Sequence, residues 1–141
     1  MSIPSLSDLE PGQEVASASI RVDRGQLVDY AHASGDQNPI HQDEGFARSV
    51  GLPDVIAHGM WTMGAAVEVL TQWLDDPTAI VAYSTRFTNP VVVPAKGGAL
   101  VDVSAQVKQV DPEMGQASIE LTVVSGEAKV LGRATVVVAL S

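Results

Sequence analysis

In the segment Tyr30-Ala31-His32-Ala33-Ser34-Gly35-Asp36-Gln37-Asn38-Pro39-Ile40-His41, a carboxyl group, an amide and an imidazole fall close together. Gly35 gives the chain access to backbone angles that other residues resist, and Pro39 fixes one torsion. A loop built this way can aim Asp36 and His41 at one small volume. Two titratable groups facing one point are what proton transfer to and from a substrate requires. The imidazole suits this work because its unperturbed pKa lies near neutrality. Asn38, carrying both a donor and an acceptor, can hold the loop geometry. Composition alone also permits a plain polar turn, since Ser, Gly, Asp, Asn and Pro are common turn residues.

The elements that must position this loop are legible on either side. Residues Glu14 to Val22 alternate loosely and read as a first strand. Asp23 followed by Gln26 has capping-box spacing and opens a helix that runs to about Ala33, delivering the chain into the loop. A short helix is expected over Glu44 to Ser49, ended by Gly51. Gly59 to Leu74 is the main helix, stopped by Asp75-Asp76-Pro77; it is apolar almost all round, which predicts burial on most sides. Beyond Pro77 the period changes to two. Ile80 to Phe87 reads as a strand. Val101, Val103, Ala105 and Val107, then Ala117, Ile119, Leu121 and Val123, alternate with polar residues as the inward faces of two more. Val130 to Leu140, the most apolar run, is expected at the centre of the sheet. A buried helix followed by four antiparallel strands, with one strand before it, is an α+β arrangement in one domain spanning residues 1–141. A curved sheet wrapped around the helix is the economical way to cover it.

Composition narrows the function classes. The 141 residues contain no Cys, so disulfides, thiol nucleophiles and thiolate zinc sites are excluded. The three His residues form no His-x-x-x-His pair and adjoin no dense carboxylate cluster, so no metal is expected. A net charge of −9 disfavours sequence-independent binding to nucleic acid. The apolar stretch from Met60 to Leu74 is interrupted by Glu68 and is shorter than the roughly 20 residues of a bilayer span, and no basic, apolar leader opens the chain. The expectation is a cytoplasmic soluble protein without membrane partners.

The order of residues in the loop carries more than its composition. An aromatic residue, then Ser-Gly-Asp-x-Asn-Pro-aliphatic-His, then five residues and Ala47, resembles the signature of the MaoC-like, R-specific enoyl thioester hydratases and dehydratases. Ile56-Ala57-His58-Gly59-Met60, Arg86-Phe87 and Pro90-Val91 with Pro94 resemble later parts of that family in the same order. The widened segment Pro94-Ala95-Lys96-Gly97-Gly98 is similar to that of the catalytic subunits of mycolic-acid-pathway (3R)-hydroxyacyl-ACP dehydratases. The resemblance implies a hotdog fold that pairs edge to edge, as a homodimer or as a heterodimer with a second hotdog subunit. It implies reversible syn hydration of trans-2-enoyl thioesters to (3R)-hydroxyacyl thioesters in fatty-acid-type metabolism. No cofactor is implied beyond the pantetheine arm of coenzyme A or acyl carrier protein that bears the substrate.

On that reading Asp36 and His41 are the catalytic pair and share the water, with Asn38 in support. Backbone N–H groups at the start of the main helix, at Gly59, would stabilise the thioester oxyanion, since helix N-termini offer unpaired donors. Met60, Trp61 and Met63 are core residues or acyl-pocket residues, and Arg86 and Lys96 are candidates for contact with the carrier. His58 is expected to make a structural bond at the start of the helix, and His32 to be solvated or a prop for the loop. Two other readings stand beside this one: a hotdog thioesterase, and a non-catalytic acyl-binding partner subunit. Such partner subunits typically lack the Asp and His that this chain keeps.

Overall fold

The computed structural model describes residues 3–141; Met1 and Ser2, where the search for a leader begins, lie outside them. Strand β1 (Glu14–Val22) leads into helix α1 (Arg24–Ser34), then the short α2 (Glu44–Ser49) and the long α3 (Gly59–Leu74). Strands β2 (Ile80–Phe87), β3 (Ala99–Asp111), β4 (Gln116–Ser125) and β5 (Ala128–Ala139) follow. All pairings are antiparallel, and the sheet order is β1-β3-β4-β5-β2. Helix α3 lies against β1, β3 and β4, giving the helix-wrapping sheet of a hotdog fold.

Local signals account for most of these boundaries. The Asp23 carboxylate accepts from the Gln26 N–H and the Gln26 side chain accepts from the Asp23 N–H, each at 2.9 Å, closing the capping box. Helix α1 ends at Gly35, whose φ of 83° is the left-handed conformation that glycine tolerates best. The inward residues of β3 (Val101, Val103, Ala105, Val107) and of β4 (Ala117, Ile119, Leu121, Val123) are all buried, as the period-two pattern requires. They form one core with Ala66, Val69, Leu70 and Leu74 of α3.

One expectation needs correction. Strand β5 is interior but not central; β4 holds the middle, and β5 lies between it and the edge strand β2. Its extra hydrophobicity comes partly from a bulge. Val130 and Leu131 are both buried, Arg133 takes a φ of 48°, and the β2 register slips between Ser84 and Arg86. Helix α3 is buried or half-buried over most of its circumference, as its apolar residues require, but not all round. Met60, Gly64, Glu68 and Gln72 form an exposed stripe, with Met60 61% exposed, because the sheet covers only one side of the helix in a single chain. On the covered side, the Tyr83 hydroxyl donates to the Met63 carbonyl at 2.8 Å, and burial pushes its pKa up to about 12.

Candidate active site

The Asp36–His41 loop is shaped by its own side chains. The Asp36 N–H donates to Ser34 Oγ (3.1 Å), the Asn38 N–H to Asp36 Oδ1 (3.2 Å), and the Ile40 N–H to Asn38 Oδ1 (3.2 Å). Asn38 thereby caps a single tight turn, Pro39–His41, which carries the imidazole inward. The support that sequence assigned to Asn38 is thus a bond to the backbone.

His41 and Asp36 meet at the end of this turn. Asp36 Oδ2 lies 3.9 Å from His41 Nε2; the His41 side chain is 7% exposed and that of Asp36 51%. His41 Nδ1 lies 2.7 Å from the carbonyl oxygen of Ile56. A carbonyl can only accept, so Nδ1 carries the proton, and Nε2 of the neutral ring is left with a bare lone pair facing Asp36. Burial pushes the His41 pKa below the ordinary imidazole value of 6.5; the bond to Ile56 opposes this, His58 adds to the lowering, and Asp36 opposes it. At neutral pH the ring is therefore uncharged and able to accept a proton.

Ile56 belongs to a strip of chain that lies across the loop. Its N–H donates to the Ile40 carbonyl (3.2 Å), the Ala57 N–H to the Val91 carbonyl (2.9 Å), and the Val93 N–H to the Val55 carbonyl (2.8 Å). Arg24 fastens the strip from behind. Its guanidinium donates to the Val93 carbonyl (2.6 Å), Asp54 (2.8 Å) and Glu44 (3.1 Å). Nothing in the spacing of residues 24, 44, 54 and 93 announces their meeting in the sequence.

The strip ends at His58 and Gly59, the start of α3. A cavity of about 340 Å³ opens there, lined by His41 and Gly59 together with Thr62, Phe87, Asn89 and Val130. Gly59 is the first residue of α3, and its N–H has no partner within the helix. A side chain at this position would stand 3.1 Å from the Phe87 ring and crowd it, so glycine suits that close approach. Asp36, half exposed, does not line the cavity, and neither do Met60, Trp61 or Met63. Met60 faces outward, Trp61 packs against the core, and Met63 is half-buried. The apolar wall is supplied instead by Ile56, just before α3, and by Phe87, Pro90, Val91 and Val130, beyond it in the chain. Arg86 and Lys96 are exposed and stand outside this lining.

His58 is buried, and its ring stacks on that of His41 with centroids 3.8 Å apart and planes 24° from parallel. Its Nε2 donates to the Asp36 carbonyl (3.1 Å), the structural bond expected of it, although the stacking had no signature in the sequence. His32 is exposed, as a solvated residue would be, with Gln37 Nε2 3.4 Å from its Nδ1. Donor atoms of Asp36, His41 and His58 lie within 4.8 Å of one another. Lone pairs of imidazoles lie in the ring planes, so two near-parallel rings do not converge on one ion. One nitrogen of each ring is already committed to a carbonyl. The trio is not disposed to hold a cation.

Comparison with known proteins agrees with this geometry. Residues 7–125 match the MaoC like domain. The chain is 32% identical to an (R)-specific enoyl-CoA hydratase of Rhodospirillum rubrum, over 93% of this chain and 89% of that one. It is 39% identical to 3-hydroxyacyl-thioester dehydratase X of Mycobacterium tuberculosis over 60% of its own length. A solved MaoC-like dehydratase superposes with a TM-score of 0.96 at 40% identity, covering 99% of this chain. The chain spans 29% of the length of that mycobacterial relative and 43% of the chain in that solved structure. With its loop, its helix-wrapping sheet and this similarity along most of its length, the chain belongs to the MaoC-like domain family.

Proposed function

We propose that this chain is a hydro-lyase that interconverts trans-2-enoyl and (3R)-hydroxyacyl thioesters by syn addition and loss of water. The observation that carries the reading is the bare Nε2 of a buried His41, 3.9 Å from Asp36, on a cavity that also contains the first residue of α3. In the dehydrating direction His41 Nε2 takes the proton from C2, the C2=C3 double bond forms, and the C3–O bond breaks. The imidazolium returns that proton to the departing hydroxyl, which leaves as water, so the proton count closes within one group. Asp36 orients the hydroxyl and steadies the imidazolium. The Gly59 N–H, at the positive end of α3, meets the negative charge that develops on the thioester oxygen. None of these steps calls for a cofactor; the pantetheine of coenzyme A or acyl carrier protein brings the acyl group.

The acyl chain would run along the apolar wall from Ile56 to Val130. Met60, Trp61 and Met63 then bear on it only where a second chain completes the site. A second hotdog chain, identical or different, fits the open edge of β2, where Val81 and Phe87 are exposed, and the exposed stripe of α3. Arg86 and Lys96 are the cations assigned to the carrier, and replacing either with Ala should raise KM alone. The cytoplasm, where such thioesters are made, is the matching compartment.

The test is loss of enoyl absorbance with crotonyl-CoA and with a long-chain trans-2-enoyl-CoA, the product's handedness being read by an R-specific dehydrogenase. Formation of the R product is expected. Release of free thiol without water addition would favour a thioesterase. Inactivity toward coenzyme A and carrier-protein substrates alike, with and without a second hotdog chain, would overturn the proposal.

A further inference from the structure

His58 touches more parts of the site than its place in the sequence suggests. Its ring, 1% exposed, stacks on His41 at 3.8 Å, and Tyr30 of α1 meets it edge-on with centroids 4.7 Å apart. Its Nε2–H holds the carbonyl of Asp36. Its own carbonyl accepts from the Thr62 N–H (3.1 Å) and from Thr62 Oγ1 (3.3 Å), closing the first turn of α3. The next residue is Gly59. One residue thus bridges the proposed base, the backbone of the proposed acid–base partner, and the helix start proposed to hold the oxyanion.

Its other ring nitrogen sharpens the point. Nδ1 is buried and meets no hydrogen-bond partner. The surroundings provide an acceptor for one ring N–H and none for a second, and an unsatisfied buried donor is costly. The groups that face the stacked pair are Tyr30 from α1 and Asp36 from the loop. The wall from Phe87 to Val91, with Val130, contributes no titratable side chain. His58 is therefore held by one bond, from Nε2 to the Asp36 carbonyl, and serves as a fixed backing for the His41 ring.

We propose that His58 is a positioning residue for the reaction: an imidazole with a single ring proton, on Nε2, that sets the plane of His41, the backbone of Asp36 and the start of α3 at once. The inference rests on the hydratase reading for its effect on rate, and on geometry alone for its effect on His41. Three variants separate its contacts. H58Q keeps a donor for the Asp36 carbonyl without a ring, H58F keeps a ring without a donor, and H58A loses both. The expected result is a fall in kcat of about 10- to 100-fold for H58A, as for a sub-ångström misplacement of reacting groups, with partial recovery in H58Q and H58F. KM should change by no more than about twofold, since substrate binding is not the function assigned.

The second readout is the titration midpoint of His41, followed by NMR of its ring nitrogens. Burial, to which the stacked ring contributes, pushes this midpoint down. Removing the stacked ring should therefore raise it in H58Q and H58A, and move the acid limb of kcat/KM to higher pH. Wild-type kcat in folded H58A, or an unmoved His41 midpoint in H58Q, overturns the proposal. The NMR titration needs no turnover. If the wild type were inactive on every enoyl thioester, the hydratase reading would fall while a raised midpoint in H58Q still supported the positioning role. Should H58A not fold, H58Q carries both readouts.

Discussion

The two strips of chain that make the site are held in opposite ways. Across residues 34–41 the bonds from side chains of the strip to its own backbone each join residues two apart: Ser34 to Asp36, Asp36 to Asn38, Asn38 to Ile40. Across residues 54–58 they reach far along the chain: Ile56 to Ile40, Ala57 to Val91, Val55 to Val93, Asp54 to Arg24. The first strip carries its conformation in its own side chains. The second is placed by the rest of the molecule, and it fixes the His41 tautomer through the Ile56 carbonyl. The spacing of Asp36 and His41 is thus decided locally, whereas the tautomer and aim of the His41 ring are decided by tertiary contacts.

Variants can break this division or sharpen it. The largest effects belong to the first strip: His41→Ala and Asp36→Asn should each lower kcat by about 100- to 10,000-fold with an unchanged circular dichroism spectrum. A folded variant with near-normal turnover would remove that residue from the chemistry. In the wild type, a base with a lowered pKa gains its inactivating proton only at lower pH. The acid limb of kcat/KM should therefore have its midpoint below 6.5, and a midpoint above it would contradict the buried, uncharged His41.

Gly59→Ala comes next. The added methyl would enter the 3.1 Å approach to Phe87, and turnover should fall by about 100-fold, as for loss of an oxyanion donor. Adding Phe87→Ala relieves that crowding. If turnover stays low in the double variant, the space at Gly59 is needed by substrate; full recovery would mean that the ring alone was the obstacle. Arg24→Ala should act through the second strip. Urea denaturation should show a loss of about 1–3 kcal/mol, with the carboxylates of Asp54 and Glu44 left only the more distant Arg48, at 3.9 and 4.0 Å, and partly accessible to water. Turnover should fall by less than about tenfold, because the loop keeps its own bonds. The smallest effect is expected for Asn38→Ala, about 1 kcal/mol for a lost cap, measured in the same denaturation experiment. An Asn38 variant as inactive as His41→Ala would show that the amide has a role beyond capping.

Much of this protein was determined by sequence alone, wherever the deciding interaction is short in range. Strand β1, helices α2 and α3 and strand β2 begin and end where caps, turn residues and periodicity place them. The inward faces of β3 and β4 follow from alternation, and the Asp23–Gln26 capping box follows from spacing. The Asp36–His41 loop could be read for the same reason. The tertiary structure alone decided the rest. The His41–His58 stack joins rings seventeen positions apart in the sequence, and the clamp on Arg24 gathers residues from four elements or loops. The central strand, the β5 bulge at Arg133 and the uncovered side of α3 depend on how the sheet closes around the helix. Hydropathy records that a residue is apolar, but whether another part of the chain arrives to cover it is a property of the closed fold.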